Sequence, residues 1–75
     1  MARANLRKIL AQNIRAHRAK TDLSQDEFAE KCGLHRTYIG SVERGERNVT
    51  LSTLELIARC IGTSVPALLT PDGIK

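Results

Sequence analysis

Aromatic side chains are almost missing from this chain, which has one Phe, one Tyr and no Trp in 75 residues. Any core must therefore be aliphatic, which suits helices packed on helices. No stretch shows the apolar–polar alternation of a half-buried strand. An apolar run of about 20 residues is missing too, as is a secretory-type hydrophobic segment, so a cytoplasmic protein with no membrane span is expected. Cysteine occurs twice, at Cys32 and Cys60. Two such distant thiols do not make a zinc site, which needs four ligands at close spacings. Cys32 falls on an apolar stripe and reads as a buried, reduced thiol. The chain also lacks a nucleophile–base pair, a carboxylate dyad, a metal-ligand cluster and a glycine-rich phosphate loop. It is too short to enclose a substrate. An enzyme is excluded on these grounds, and no catalytic residue, metal or cofactor is assigned.

Acid is absent from the first twenty residues, which carry Arg3, Arg7, Lys8, Arg15, Arg18 and Lys20. Residues 21 to 34 are net acidic through Asp22, Asp26, Glu27 and Glu30, and residues 35 to 47 turn basic again with Arg36, Arg44 and Arg47. The formal charge is +4 and the pI about 9.6. Charge sorted in this way points to one face meant for a polyanion, although a basic balance also serves solubility alone. The length allows one domain, near the lower size at which a core is self-sufficient. The hydrophobic share of 41% is enough for a compact fold.

The stretch SQDEFAEKCGLHRTYIGSVER, residues 24 to 44, organises the rest. Ser24 and Glu27 form an S-x-x-E capping box that opens a short helix. Phe28, Ala29 and Cys32 share its apolar face, and Gly33 can take the left-handed conformation that ends it. A second helix begins near His35 or Arg36, with His35 as the local cap. Ile39 and Val42 point inward, while Arg36, Thr37, Tyr38, Gly40, Ser41 and Arg44 point outward. Two short helices joined by a tight turn containing Gly make a helix-turn-helix unit. Its second helix shows donors and small residues where a surface helix usually shows Glu and Lys. Such a face suits the DNA major groove, where Arg pairs with guanine and Thr touches the thymine methyl. The plainer alternative is a solvated helix in a small bundle.

Before this unit, Leu6, Ile9, Leu10, Ile14 and His17 or Arg18 recur at helical spacing, predicting a first helix over 5–20 with Asn5 as cap; His17, with no partner in the sequence, is read as ordinary surface. After it, Gly45 stops the helix and a loop projects Arg47 and Asn48. Thr50 or Ser52 caps a fourth helix, about 52–61, with Leu54, Ile57, Ala58 and Ile61 inward and Gly62 as its stop. Ser64 caps a short fifth helix with Pro66 near its start, and Pro71-Asp72-Gly73 reads as a frayed tail. The expected fold is all-α, a compact five-helix bundle in one domain, 1–75. The apolar set Leu56, Cys60, Val65, Leu68 and Leu69 is left over. It either closes the core beneath the first helix or, the favoured reading, forms a dimer surface on helices 52–69.

Ser24-Gln25, Phe28-Ala29, Gly33-Leu34, Ile39, Glu43-x-Gly45 and Leu54-x-x-Ile57-Ala58, followed by Gly62-Thr-Ser-Val65, together resemble the phage-repressor-type helix-turn-helix family, with its lambda-repressor-like fold. The segment HRTYIGSVERGERNVTLSTLELIA is similar to the controller proteins of bacterial restriction–modification systems. The resemblance implies a small homodimer that binds double-stranded DNA and regulates transcription. By position it implies that Gln25 bonds a phosphate, and that Arg36, Thr37 and Tyr38 meet base edges or the adjacent backbone. It implies further that Ser41 faces the groove, and that Arg44, Arg47 and Asn48 hold phosphates or reach bases. It also implies a structural ion pair between Arg18 and Glu43. His35 departs from the small polar cap usual in the family.

The expected function is thus a sequence-specific regulator acting as a homodimer on a near-palindromic operator. RNA polymerase stays open as a further partner, and no small-molecule effector is expected because no second domain exists to hold one. The rival from another class is an antitoxin-type protein-interaction module, disfavoured because no long amphipathic tail is present to wrap a partner. All of this requires that Arg36, Thr37, Tyr38 and Ser41 lie uncovered.

Overall fold

The computed structural model describes residues 5–74; Arg3 of the basic first segment lies outside the described residues. Five helices follow one another: α1 (Leu6–Thr21), α2 (Gln25–Cys32), α3 (Arg36–Glu43), α4 (Leu51–Ile61) and α5 (Val65–Leu68). Among the described residues there is no strand.

Each boundary has a local cause. Asn5 accepts a bond from the Lys8 N–H at 3.1 Å and opens α1. Ser24 and Glu27 make a reciprocal capping box, with the Glu27 N–H 3.1 Å from Ser24 Oγ and the Ser24 N–H 2.9 Å from Glu27 Oε1. The Ser24 N–H and then its hydroxyl hold the Glu27 carboxyl below its ordinary pKa. Gly33 ends α2 at φ +70, and the Leu34 N–H returns to the Ala29 carbonyl at 2.9 Å, which turns the chain sharply into α3. His35 caps α3 through Nδ1, which accepts from the Thr37 N–H at 3.1 Å. Thr50, rather than Ser52, caps α4, so that helix starts one residue earlier than expected. Ser64 caps α5.

The core is aliphatic around one ring. Ile14, Phe28, Ile39, Val42, Ile57 and Leu68 are fully buried, and each such side chain contributes about 1.5–3 kcal/mol. Helix α3 packs against α1 and α2 together; α2 also meets α4, while α5 ties α4 back to α1. Ile39 and Val42 press α3 into this frame, leaving its other side as the candidate reading face.

Four expectations are corrected. Leu68 belongs to no dimer surface, because α5 folds back and drives it into the core. Asn13 holds that turn, donating to the carbonyls of Leu68 at 2.7 Å and Thr70 at 3.0 Å. Cys60 turns its sulfur inward, 2.6 Å from that of Cys32, while the residue keeps partial exposure like Leu56, Val65 and Leu69. Burial first, and the Cys60 contact second, push the Cys32 thiol well above its ordinary pKa. The tail is not frayed: the Gly73 N–H bonds the Thr70 carbonyl at 2.9 Å, and Ile74 packs on the core. Finally, His17 is buried rather than on the surface, because it continues the Leu10–Ile14 stripe of α1. Its ring lies 5.8 Å from that of Phe28, and its Nε2 has no hydrogen-bond partner.

Candidate nucleic-acid interface

The capping box fixes where α2 begins, and the Gly33 turn fixes where α3 begins. These two starts lie side by side and frame an open concavity of about 340 Å³, lined by Gln25, Asp26, Arg36, Thr37, Gly40 and Arg44. Arg36 and Thr37 are exposed at its rim. Gly40 forms its floor; a Cβ built there would lie 3.3 Å from Arg44 Nη1 and 3.5 Å from Gln25 Oε1. Those two side chains therefore cross the backbone of α3, and Gly40 is buried beneath them instead of pointing freely outward. Gln25 is half-buried, its amide donating to Glu43 Oε1 at 3.3 Å.

Behind the concavity stands the buried carboxylate of Glu43. Arg18 meets it with two parallel bonds, Nε to Oε2 and Nη2 to Oε1, both 2.7 Å. This bidentate geometry raises the Arg18 pKa and keeps the guanidinium charged. Arg15 adds a bond to the Glu43 backbone carbonyl. The last turn of α3 is thereby tied to α1 by two arginines.

Ser41 does not face open groove, which corrects the expectation for that residue. It is 8% exposed, its hydroxyl donating to the Tyr38 carbonyl at 2.7 Å and accepting from Arg47 Nε at 3.0 Å. The loop after α3 turns back and lays the Arg47 guanidinium over the Tyr38 ring, 5.1 Å from its centroid. Tyr38 is consequently half-buried, so the condition that four residues lie uncovered is met by Arg36 and Thr37 and not by Tyr38 and Ser41, which lie beneath Arg47 of the same chain. Arg47 and Asn48 line a second groove with Leu6, Leu10, Val49, Leu54 and Leu69, apart from the Arg36 concavity. The sequence-expected residues thus fall into two places: Gln25, Arg36, Thr37 and Arg44 together, and Tyr38, Ser41, Arg47 and Asn48 beside them.

The helix-turn-helix family pattern matches residues 14–68, most of the framework just described. The chain belongs to this helix-turn-helix family. It is a helix-turn-helix DNA-binding transcriptional regulator. It is 59% identical over 71 residues to Control protein C.SmaI of Serratia marcescens, covering 95% of this chain and 84% of that one. It is 42% identical over 66 residues to Control protein C.BamHI of Bacillus amyloliquefaciens, covering 87% and 82%. The crystal structure of the restriction–modification controller protein C.AhdI from Aeromonas hydrophila superposes with a TM-score of 0.75 at 35% identity, over 83% of this chain and 94% of that one.

The regulator's surface also holds groups that the motif does not mark. Lys8 and Arg15 of α1 share a concavity with Asn5, Arg44 and Gly45, which extends the basic edge next to α3. Their signal in the sequence was the acid-free first segment, but only folding shows that this segment flanks Arg44. Asp26 is the other addition. Among the described residues it is the one acid lining the Arg36 concavity, while Glu46, in the loop after α3, pairs with Arg44 Nε at 3.1 Å.

Proposed function

We propose that this chain is a homodimeric controller of a restriction–modification locus, acting in the cytoplasm on a near-palindromic operator. The observation that carries the DNA reading is the exposed Arg36–Thr37 rim over the Gly40 floor, backed by the ion-paired Glu43. Arg36 is assigned to a base edge and Thr37 to a base or the adjacent backbone. Gln25, Arg44, Lys8 and Arg15 are assigned to phosphates, with Tyr38, Ser41, Arg47 and Asn48 forming a supporting platform from which Arg47 can swing onto the duplex. The identity with two control proteins supports the locus assignment. Among the described residues no helix is long and apolar enough to cross a membrane.

The dimer reading rests on apolar side chains that the monomer leaves uncovered. Leu51 is 75% and Leu6 50% exposed, and Leu56, Val65 and Leu69 keep partial exposure. A two-fold axis near these groups would set two α3 helices about 34 Å apart, one major-groove turn. RNA polymerase is a natural further partner for a dimer bound beside a promoter.

The decisive experiment selects a preferred duplex from random sequence and titrates it in rising salt. Four cationic contacts per subunit, from Lys8, Arg15, Arg44 and Arg47, make eight in the dimer and give a log–log slope of roughly −7. Arg36→Ala should weaken the selected site by about 1–3 kcal/mol and relax preference at one base pair in each half-site. Equal loss on selected and random duplexes would reduce Arg36 to a phosphate clamp and sink the base-reading assignment.

A further inference from the structure

The one acid in the Arg36 concavity needs a reason. Asp26 is exposed on a face that the proposed function gives to a polyanion, where a carboxylate repels phosphate and lowers affinity for any duplex. Its place in the first turn of α2 suits the helix dipole, but the capping bonds there belong to Glu27. What Asp26 does touch is Arg36: its Oδ2 lies 3.2 Å from Arg36 Nη1.

That contact is weak in solution. The two side chains are 63% and 68% exposed, and exposed pairs add little to folding. Its effect on recognition is different. A guanidinium has five N–H donors in a rigid plane. Asp26 takes one on Nη1, which leaves the Nε–Nη2 edge free for the O6 and N7 of a guanine. An untethered Arg36 could meet any phosphate within reach of its flexible stem. Held by Asp26 through Nη1, its free edge is fixed in direction, and the adjacent carboxylate repels a phosphate that approaches that edge but not a neutral base. Water leaves the concavity as a duplex arrives, and the Asp26–Arg36 attraction strengthens as it does.

We propose that Asp26 is a positioning residue for sequence discrimination, holding Arg36 with its Nε–Nη2 edge toward a base and discouraging its use on phosphate. This rests on the assignment of Arg36 to a base edge. The carboxylate lowers affinity for random DNA and raises the ratio of preferred to random binding. The regulator therefore trades total affinity for selectivity through one exposed acid.

The test is a binding cycle with Asp26→Asn, Arg36→Ala and the double variant, each titrated on the selected duplex and on a scrambled duplex at two salt concentrations. Unchanged circular dichroism melts verify folding; Asp26→Ala repeats the measurement without an amide that could still bond Arg36. The expected result for Asp26→Asn is tighter binding to scrambled DNA, by about threefold, as one lost repulsion on the backbone implies. The preferred-to-scrambled ratio should fall by about fivefold, an ordinary coupling for residues in contact. In the Arg36→Ala background the same substitution should leave that ratio alone. If Asp26→Asn tightens both duplexes equally, or changes neither, Asp26 does not position Arg36 and the proposal is overturned. If Arg36→Ala itself leaves the ratio unchanged, the base assignment of Arg36 fails first, a result separate from failure of the Asp26 claim.

Discussion

Arg18 and Glu43 meet across the α1–α3 seam through two bonds of 2.7 Å, with the Glu43 side chain only 3% exposed. The reading helix is thus held in place by charge as well as by Ile39 and Val42. Such a pair adds less net stability than it puts at risk. Glu43→Ala leaves Arg18 partly solvated, 21% exposed, and still bonded to the Leu23 carbonyl, so it should cost about 1.5–3 kcal/mol in urea unfolding, the weight of bonds to a charged group. Replacing both, as Arg18→Met with Glu43→Leu, should restore most of that loss. If the double variant is no more stable than Glu43→Ala, the pair is not the unit that this reasoning takes it to be.

Gly40→Ala sets two effects against each other. Alanine favours a helix over glycine by about 1 kcal/mol. The new Cβ, however, would lie 3.3 Å from Arg44 Nη1. The guanidinium is the exposed end of a flexible side chain, so it can move aside, and folding should gain. The concavity loses its floor and Arg44 its place above it. The expected outcome is a higher melting temperature together with weaker operator binding, by roughly tenfold if one phosphate contact of about 1.4 kcal/mol is lost. A variant that melts higher and binds as before would show that Arg44 works equally well from its displaced position.

His17 supplies a pH dependence with a definite sign. Burial first, then the positive charges of Lys31 and Lys20, lower its pKa below the ordinary 6.5. Above 6.5 both folded and unfolded chains carry it neutral, and it takes nothing from stability. As the pH falls below 6.5 the unfolded chain takes the proton first, so stability declines until the folded-state pKa is passed. His17→Leu also removes the unpartnered Nε2. It should flatten the loss of urea midpoint that sets in as the pH falls below about 6.5, where the unfolded chain takes the proton first. An equally steep loss in the variant would assign the dependence to other groups.

Local chemistry was legible in the sequence, and contacts between distant segments were not. Ser24, Gly33, Gly62 and Ser64 act within four residues of themselves, the serines by side-chain caps and the glycines by their positive φ, so they announce the helix ends directly. The inward stripes followed for the same reason, because a helix repeats its face every few residues. Ser41 failed for a non-local reason, whereas His17 stood on the helical stripe of α1 and lacked only a partner visible in the sequence. What covers Ser41 is Arg47, brought over by the loop, and what faces His17 is the Phe28 ring of another helix. Leu68 likewise depends on Asn13, 55 residues earlier, which pins the turn that buries it. The Arg18–Glu43 pair came only from family resemblance, since nothing in the spacing of two charges 25 residues apart singles them out. Asp26 was counted as part of an acidic segment, while its contact with Arg36 needed the turn geometry at Gly33.

The proposed dimer surface is testable at residues that the monomer leaves available. Leu69 lines the apolar groove with Leu6, Leu10 and Leu54 and is only half-buried, and Leu51 stands largely in solvent nearby in the chain. A carboxylate at either position would be desolvated by a second copy but hydrated in a monomer, so the penalty falls on association. Leu51→Glu should convert the protein to a monomer in sedimentation equilibrium with its melting curve little changed at low concentration. Leu69→Glu should do the same at some cost to folding, because part of that side chain already packs on the core. Operator affinity should fall at least tenfold for Leu51→Glu, since two linked reading helices bind as one unit through their effective concentration. Binding to an isolated half-site should change little. A Leu51→Glu protein with the mass of a dimer would exclude Leu51 from the interface. If Leu69→Glu also kept that mass, the α4–α5 face would be ruled out as the surface joining two copies.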